Sequence, residues 1–77
     1  MITEKDLIEF LVTSGAEIKR EDINVLETFE DMGLDSLDVF NFFTEIESEI
    51  GLDVPDEDFD TLQTIKDVKD YINNHNH

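Results

Sequence analysis

Three stretches of apolar residues at helical spacing and no sustained strand alternation predict an all-α fold, and 77 residues without a cysteine exclude disulfide staples and thiolate metal sites. The expected architecture is a small four-helix bundle (three main helices plus one short helix) with a long loop between helices one and two. The first helix is expected from about Glu4 to Ser14. Thr3 caps it with Asp6 three residues on, Leu7, Phe10 and Leu11 form its stripe, Ile8 widens that stripe, and Gly15 stops it. The stretch from Gly15 to Asp35 is too irregular for one helix, and a loop of that length tends to be functional. Its apolar residues, Ile18, Ile23, Val25, Leu26, Phe29, Met32 and Leu34, are expected to pin it to the core. Gly33 supplies a backbone conformation that other residues resist.

The second helix is expected from Ser36 to about Ile50, with Asp35 as its N-cap, Asp38 in the first turn where negative charge suits the helix dipole, and Gly51 at its end. Val54-Pro55 reads as extended, because a residue before proline avoids the helical region. A short turn or helix, "DEDFDTL", follows, with Phe59 and Leu62 facing inward. The last helix starts at a Thr64 cap and carries Ile65, Val68 and Ile72. Residues 1–77 thus read as a single domain, with residues 73–77, "NNHNH", a polar flexible tail.

Twenty-one acidic residues against five basic ones give a formal net charge of −16. That balance disfavours nucleic acid and anionic membrane surfaces, both of which are bound through Lys and Arg. It steers the chain toward basic protein surfaces and opposes self-association, so a monomer is expected. No apolar run approaches the roughly 18 residues needed to span a bilayer. The N-terminus lacks a signal-peptide layout, and a cytoplasmic location is expected.

Attention falls on "GLDSLD", residues 33–38, where a serine stands between two aspartates at a helix start. With about 100° per residue, Val39, Phe42, Phe43, Ile46 and Ile50 share one face of the second helix and form a core stripe. Leu37 falls opposite that stripe, and Phe40 lies off it, nearer to Ser36. Leu37 and Phe40, rimmed by Asp35, Asp38, Glu45 and Glu47, have the anatomy of a protein docking site: an apolar anchor inside a charged rim. Ser36 itself is no nucleophile. The only histidines, His75 and His77, lie in the tail, there is no G-x-S-x-G elbow, and neighbouring carboxylates would repel an oxyanion. No catalytic residue is therefore assigned. An exposed serine at a helix N-terminus instead suits modification by another enzyme, because backbone N–H groups and the dipole favour a phosphate there.

Residues 31 to 72, "DMGLDSLDVFNFFTEIESEIGLDVPDEDFDTLQTIKDVKDYI", resemble the acyl carrier proteins without an apparent gap. The short D-S-L motif gains its specificity from the helix that follows, then "VPDEDF", then a terminal helix ending "DYI". The resemblance implies that Ser36 carries 4'-phosphopantetheine through a phosphodiester, added from coenzyme A by a phosphopantetheinyl transferase. The arm's thiol would then hold acyl groups as thioesters for enzymes of fatty acid, polyketide or related specialised pathways. Those enzymes would dock through basic patches on Asp35, Leu37, Asp38 and Glu47. Asn41 and Ser48 depart from the family, where many members have glutamate, and Phe40 and Phe43 are bulkier than usual. Phe42 and Phe43 are expected to occupy space that growing acyl chains use in many carriers, so that long chains are sheltered poorly.

Two other readings are a peptidyl or aminoacyl carrier and, in a different class, an acidic divalent-cation-binding interaction domain. Asp56, Asp58 and Asp60 occupy positions one, three and five of a calcium loop over residues 56–67. Position six is Thr61 rather than glycine, however, and position twelve is Asp67 rather than glutamate, so no metal ligand is assigned. Weak binding of divalent cations by clustered carboxylates is still expected, and would stabilise the fold by relieving self-repulsion. Added magnesium or calcium is therefore predicted to raise the melting temperature; an unchanged midpoint in a thermal scan would contradict this.

Overall fold

A computed structural model describes residues 2–75. Its helices are α1 (Glu4–Thr13), α2 (Ser36–Ile50), α3 (Asp56–Phe59) and α4 (Ile65–His75), with a single 3-10 turn at Arg20–Asp22 in the long loop. The fold is all-helical, as the apolar spacing predicts. No helix among the described residues is long and apolar enough to cross a membrane.

Local chemistry sets the helix ends. The Thr3 hydroxyl accepts from the Asp6 N–H at 3.2 Å, and the Asp6 carboxylate accepts from the Thr3 N–H at 3.1 Å, so α1 opens on a reciprocal cap. At the other end the Ser14 hydroxyl donates to the Leu11 carbonyl at 2.7 Å. The Thr64 hydroxyl accepts from the Asp67 N–H at 3.0 Å and caps α4. Gly51 ends α2 in the left-handed region, φ 73°, and its N–H reaches the Glu47 carbonyl at 2.8 Å.

The core gathers Leu7 and Leu11 of α1, Phe42 and Ile46 of α2, and Ile65, Val68 and Ile72 of α4, all fully buried. Helix α1 packs against both α2 and α4. The long loop joins this core through Phe29 and Leu34, both buried. Two backbone bonds tie it to the start of α4. The Phe29 N–H donates to the Gln63 carbonyl at 2.9 Å, and the Lys66 N–H, one of the donors a helix start leaves without an intrahelical partner, reaches the Val25 carbonyl at 3.1 Å. An exposed ion pair between Arg20 and Glu9 links the loop to α1, and the hydrogen bond from Arg20 holds the Glu9 carboxyl below its usual range.

Three expectations need correction. Leu26 is 69% exposed rather than pinned to the core. It sits in a turn whose N–H is taken by the Asn24 side chain at 3.0 Å. Ile50 is 38% exposed although it continues the α2 stripe, because burial stops one turn earlier, at Ile46. Finally, α4 runs three residues past Ile72, into the stretch expected to be a tail. The Asn73 amide accounts for this: its oxygen accepts from the Ile2 N–H at 3.1 Å and its nitrogen donates to the Ile2 carbonyl at 3.2 Å, holding the two ends of the chain together. Residues 76 and 77 of the expected tail lie outside the described residues.

Helix α3 is fastened by side chains. Phe59 stacks on Phe43 with ring centroids 4.7 Å apart, and the Tyr71 hydroxyl donates to the Asp58 carboxylate at 2.8 Å. With residues 56–59 helical and Asp58 engaged by Tyr71, this segment is not a calcium loop; the Asp56 side chain lies outside the described residues.

Burial, and then its hydrogen bond to Asp58, raise the Tyr71 phenol above its ordinary value. A raised folded-state value means that this contribution is complete below about pH 10, where an unfolded tyrosine titrates, and is lost as pH rises through the folded value. The urea midpoint is predicted to fall in strongly alkaline solution, and to fall less in Tyr71→Phe. In the core, Phe42→Ala is predicted to cost about 3–5 kcal/mol by urea unfolding, against less than about 1 kcal/mol for exposed Leu37→Ala.

Candidate functional site

Burial of Leu34 anchors the chain just before Ser36. Gly33 makes the approach turn at φ 86°, a conformation that a side chain would strain. Asp35 is extended and serves as the N-cap of α2. Its carboxylate accepts from the Asp38 N–H at 2.9 Å, and the Asp38 carboxylate accepts from the Asp35 N–H at 3.3 Å. The two aspartates flanking the serine thus fix where the helix begins. Ser36 becomes the first helical residue and is exposed.

The cap leaves donors free. The Asp35 carbonyl accepts from the Val39 N–H and its carboxylate from Asp38, while the N–H groups of Ser36 and Leu37 find no partner among the described residues. Unpaired donors at the positive end of a helix dipole, beside an exposed hydroxyl, suit an esterified phosphate. No group among the described residues hydrogen-bonds the Ser36 hydroxyl to activate it as a nucleophile. Of the two histidines, His77 and the side chain of His75 lie outside the described residues.

Leu37 is 65% exposed and Phe40 54%, so both stand clear of the core. The acidic residues do not form one ring around them. By helical geometry Glu47 lies about 20° from Ser36, on the Phe40 side, whereas Asp38 and Glu45 lie about 80–100° beyond Leu37 on the opposite flank. Asp38 is moreover engaged in the cap, and Glu45 is half-buried. Helix α2 carries no basic residue, so every charge on its surface is negative.

Ser36 borders an open groove of about 740 Å³. Val39 and Phe40 of α2 line it with Ser36, Phe29 and Leu34 come from the long loop, and Phe59 and Leu62 close the far side. Sequence reasoning did not find this groove. Its walls come from three separate segments, brought together in part by the bond from the Phe29 N–H to the Gln63 carbonyl, and no local pattern encodes that pairing. The signal available was the unusual apolar content of a long loop.

A family model described as "Phosphopantetheine attachment site" matches residues 7–72. The chain belongs to the acyl carrier protein family. It is 45% identical over 73 residues to the acyl carrier protein of Rickettsia bellii strain OSU 85-389, with 94% of this chain and 89% of that protein covered. It is 31% identical over 71 residues to the acyl carrier protein of Clostridium perfringens strain 13, with 91% and 93% covered. Among solved structures it is similar to butyryl-ACP from the actinorhodin polyketide synthase of Streptomyces coelicolor. That match has a TM-score of 0.80 and 31% identity, over 97% of this chain and 91% of that one. The acyl carrier protein reads acyl cargo through a phosphopantetheine group, and the residues around the start of α2 fit such a group.

The cap that sets this helix start is testable. Asp35→Ala is predicted to cost about 1 kcal/mol of stability in denaturant unfolding, and Asp35→Asn far less, since asparagine caps nearly as well.

Proposed function

We propose that Ser36 bears the phosphopantetheine as a phosphodiester, added from coenzyme A by a phosphopantetheinyl transferase, and that the carrier performs no reaction itself. The observation that carries this reading is the exposed Ser36 hydroxyl at the first position of α2, beside two unpaired backbone N–H groups and at the edge of a groove of mixed polar and apolar lining. When bound, the group supplies a flexible arm whose thiol holds acyl chains as thioesters, chemistry that a chain without cysteine cannot provide. The N–H groups of Ser36 and Leu37 would face the phosphate. The carboxylates of Asp35 and Asp38 keep the helix start fixed.

Partners are read as enzymes with basic docking patches that transfer or extend acyl chains. Leu37 and Phe40 are the apolar anchors, with Asp35 and Glu47 on the Ser36 side and Asp38 and Glu45 on the other flank steering the approach. The net charge of −16 supports a monomer. Asn41 and Ser48, with the bulky Phe40 and Phe43, favour a specialised acyl pathway over bulk fatty acid synthesis.

Incubation with coenzyme A and a promiscuous phosphopantetheinyl transferase is predicted to add the mass of the arm to the wild-type chain and nothing to Ser36→Ala. An unmodified wild-type chain, or a modified Ser36→Ala, would refute the assignment. Leu37→Ala is predicted to lower kcat/KM for the transferase by about tenfold, about 1.4 kcal/mol, with little change in stability. Rates with partners should also fall as salt rises.

A further inference from the structure

An acyl chain tethered at Ser36 must put its apolar tail somewhere, and the adjoining surface is the groove beside Ser36, lined by Glu30, Asp35 and Asp60 as well as by apolar side chains. Its inner side is made of rings. Phe29 and Phe59 line the groove, and each is backed by a buried ring of α2. Phe29 meets Phe42 edge-on at 5.6 Å and 65°, and Phe59 lies flat on Phe43 at 4.7 Å and 9°. Phe42 and Phe43 are themselves 5.7 Å apart, so the four rings form a continuous partition. Leu11, Ile46 and Val68 belong to the same buried core and have no exposed surface. Phe42 is fully buried and Phe43 is 4% exposed.

Resting on the reading of Ser36 as the attachment residue, we propose that the Phe43–Phe59 stack is a length stop. It confines acyl cargo to the open groove and keeps longer tails out of the bundle interior. Phe59 is the outer leaf of the partition. It sits in a single helical turn, and the residue before it, Asp58, is bonded to the Tyr71 hydroxyl at 2.8 Å. For a tail to pass, Phe59 must leave Phe43, and α3 must shift against the Tyr71 bond. Burial of each further methylene favours entry, so the drive to open the stack grows with chain length. Offset-stacked and edge-on ring contacts, with a hydrogen-bonded anchor beside them, oppose it. Short acyl groups are covered by the groove, while longer ones extend from it into water.

The test uses the chain loaded with butyryl, octanoyl or dodecanoyl thioesters, read by hydroxylamine cleavage and by nuclear Overhauser contacts from the terminal methyl. In the wild type, cleavage rates are expected to be flat across the three lengths, with no contact from the octanoyl methyl to Ile46 or Val68. In Phe59→Ala the octanoyl thioester is expected to be cleaved about tenfold more slowly than butyryl, a difference of about 1.4 kcal/mol in barrier, and to gain those contacts. Tenfold shielding of octanoyl in the wild type, or flat rates in a folded Phe59→Ala, overturns the proposal. Should Phe59→Ala fail to fold, Phe59→Val and Phe43→Leu carry the same two expectations. A chain that takes no arm refutes the attachment reading alone. The stop is then read on the unmodified protein by titration with free octanoyl-pantetheine thioester. Shifts confined to groove amides such as Thr28 and Gln63 support it, and shifts at Ile46 and Val68 overturn it.

Discussion

A net charge of −16 on 77 residues sets the terms on which this chain folds. Like charges at such density favour expansion; the chain has no cysteine to form a disulfide, and no buried ion pair among the described residues opposes them. What holds the chain together is one apolar cluster gathered from three helices and from the segments that precede and join them, with no charged or polar residue among its buried members. A domain this small buries a thin core and has little to spare. Each ring and aliphatic side chain in that cluster therefore carries a large share of the stability, and the carboxylates are left to the surface, where they can act on partners.

The same constraint shapes the start of α2. The helix must present Ser36 outward while Phe42, Phe43 and Ile46, one to three turns on, lie in the core. The reciprocal cap of Asp35 and Asp38 fixes the first residue of the helix, buried Leu34 fixes the strand of chain that leads to it, and the rotation of 100° per residue does the rest. Two aspartates that look like a docking signal are thus also structural: the charge next to the serine is what places the serine.

How much of this was legible follows the range of the interactions. Thr3 with Asp6, Asp35, Gly51 and Thr64 act within four residues of themselves, and the helix ends they set were readable from spacing alone. So were the α2 stripe through Ile46 and the outward positions of Leu37 and Phe40. The misses came from contacts that spacing cannot encode. Asn73 looked like tail because its partner, Ile2, lies 71 residues away. The groove required Phe29 to meet Gln63 across half the chain. Leu26 counted as core by its side chain, yet its turn, held by Asn24, points it into water. The four acids expected to form one rim, Asp35, Asp38, Glu45 and Glu47, are split by helical rotation between two flanks.

The chain has one tyrosine and no tryptophan. Its near-ultraviolet absorption and emission therefore arise chiefly from the residue that latches α3 through Asp58. A phenol donating to a carboxylate differs spectroscopically from one donating to water, so displacement of α3 alters the light the protein emits. The bundle carries an intrinsic optical reporter beside the wall of the groove next to Ser36, readable without a label.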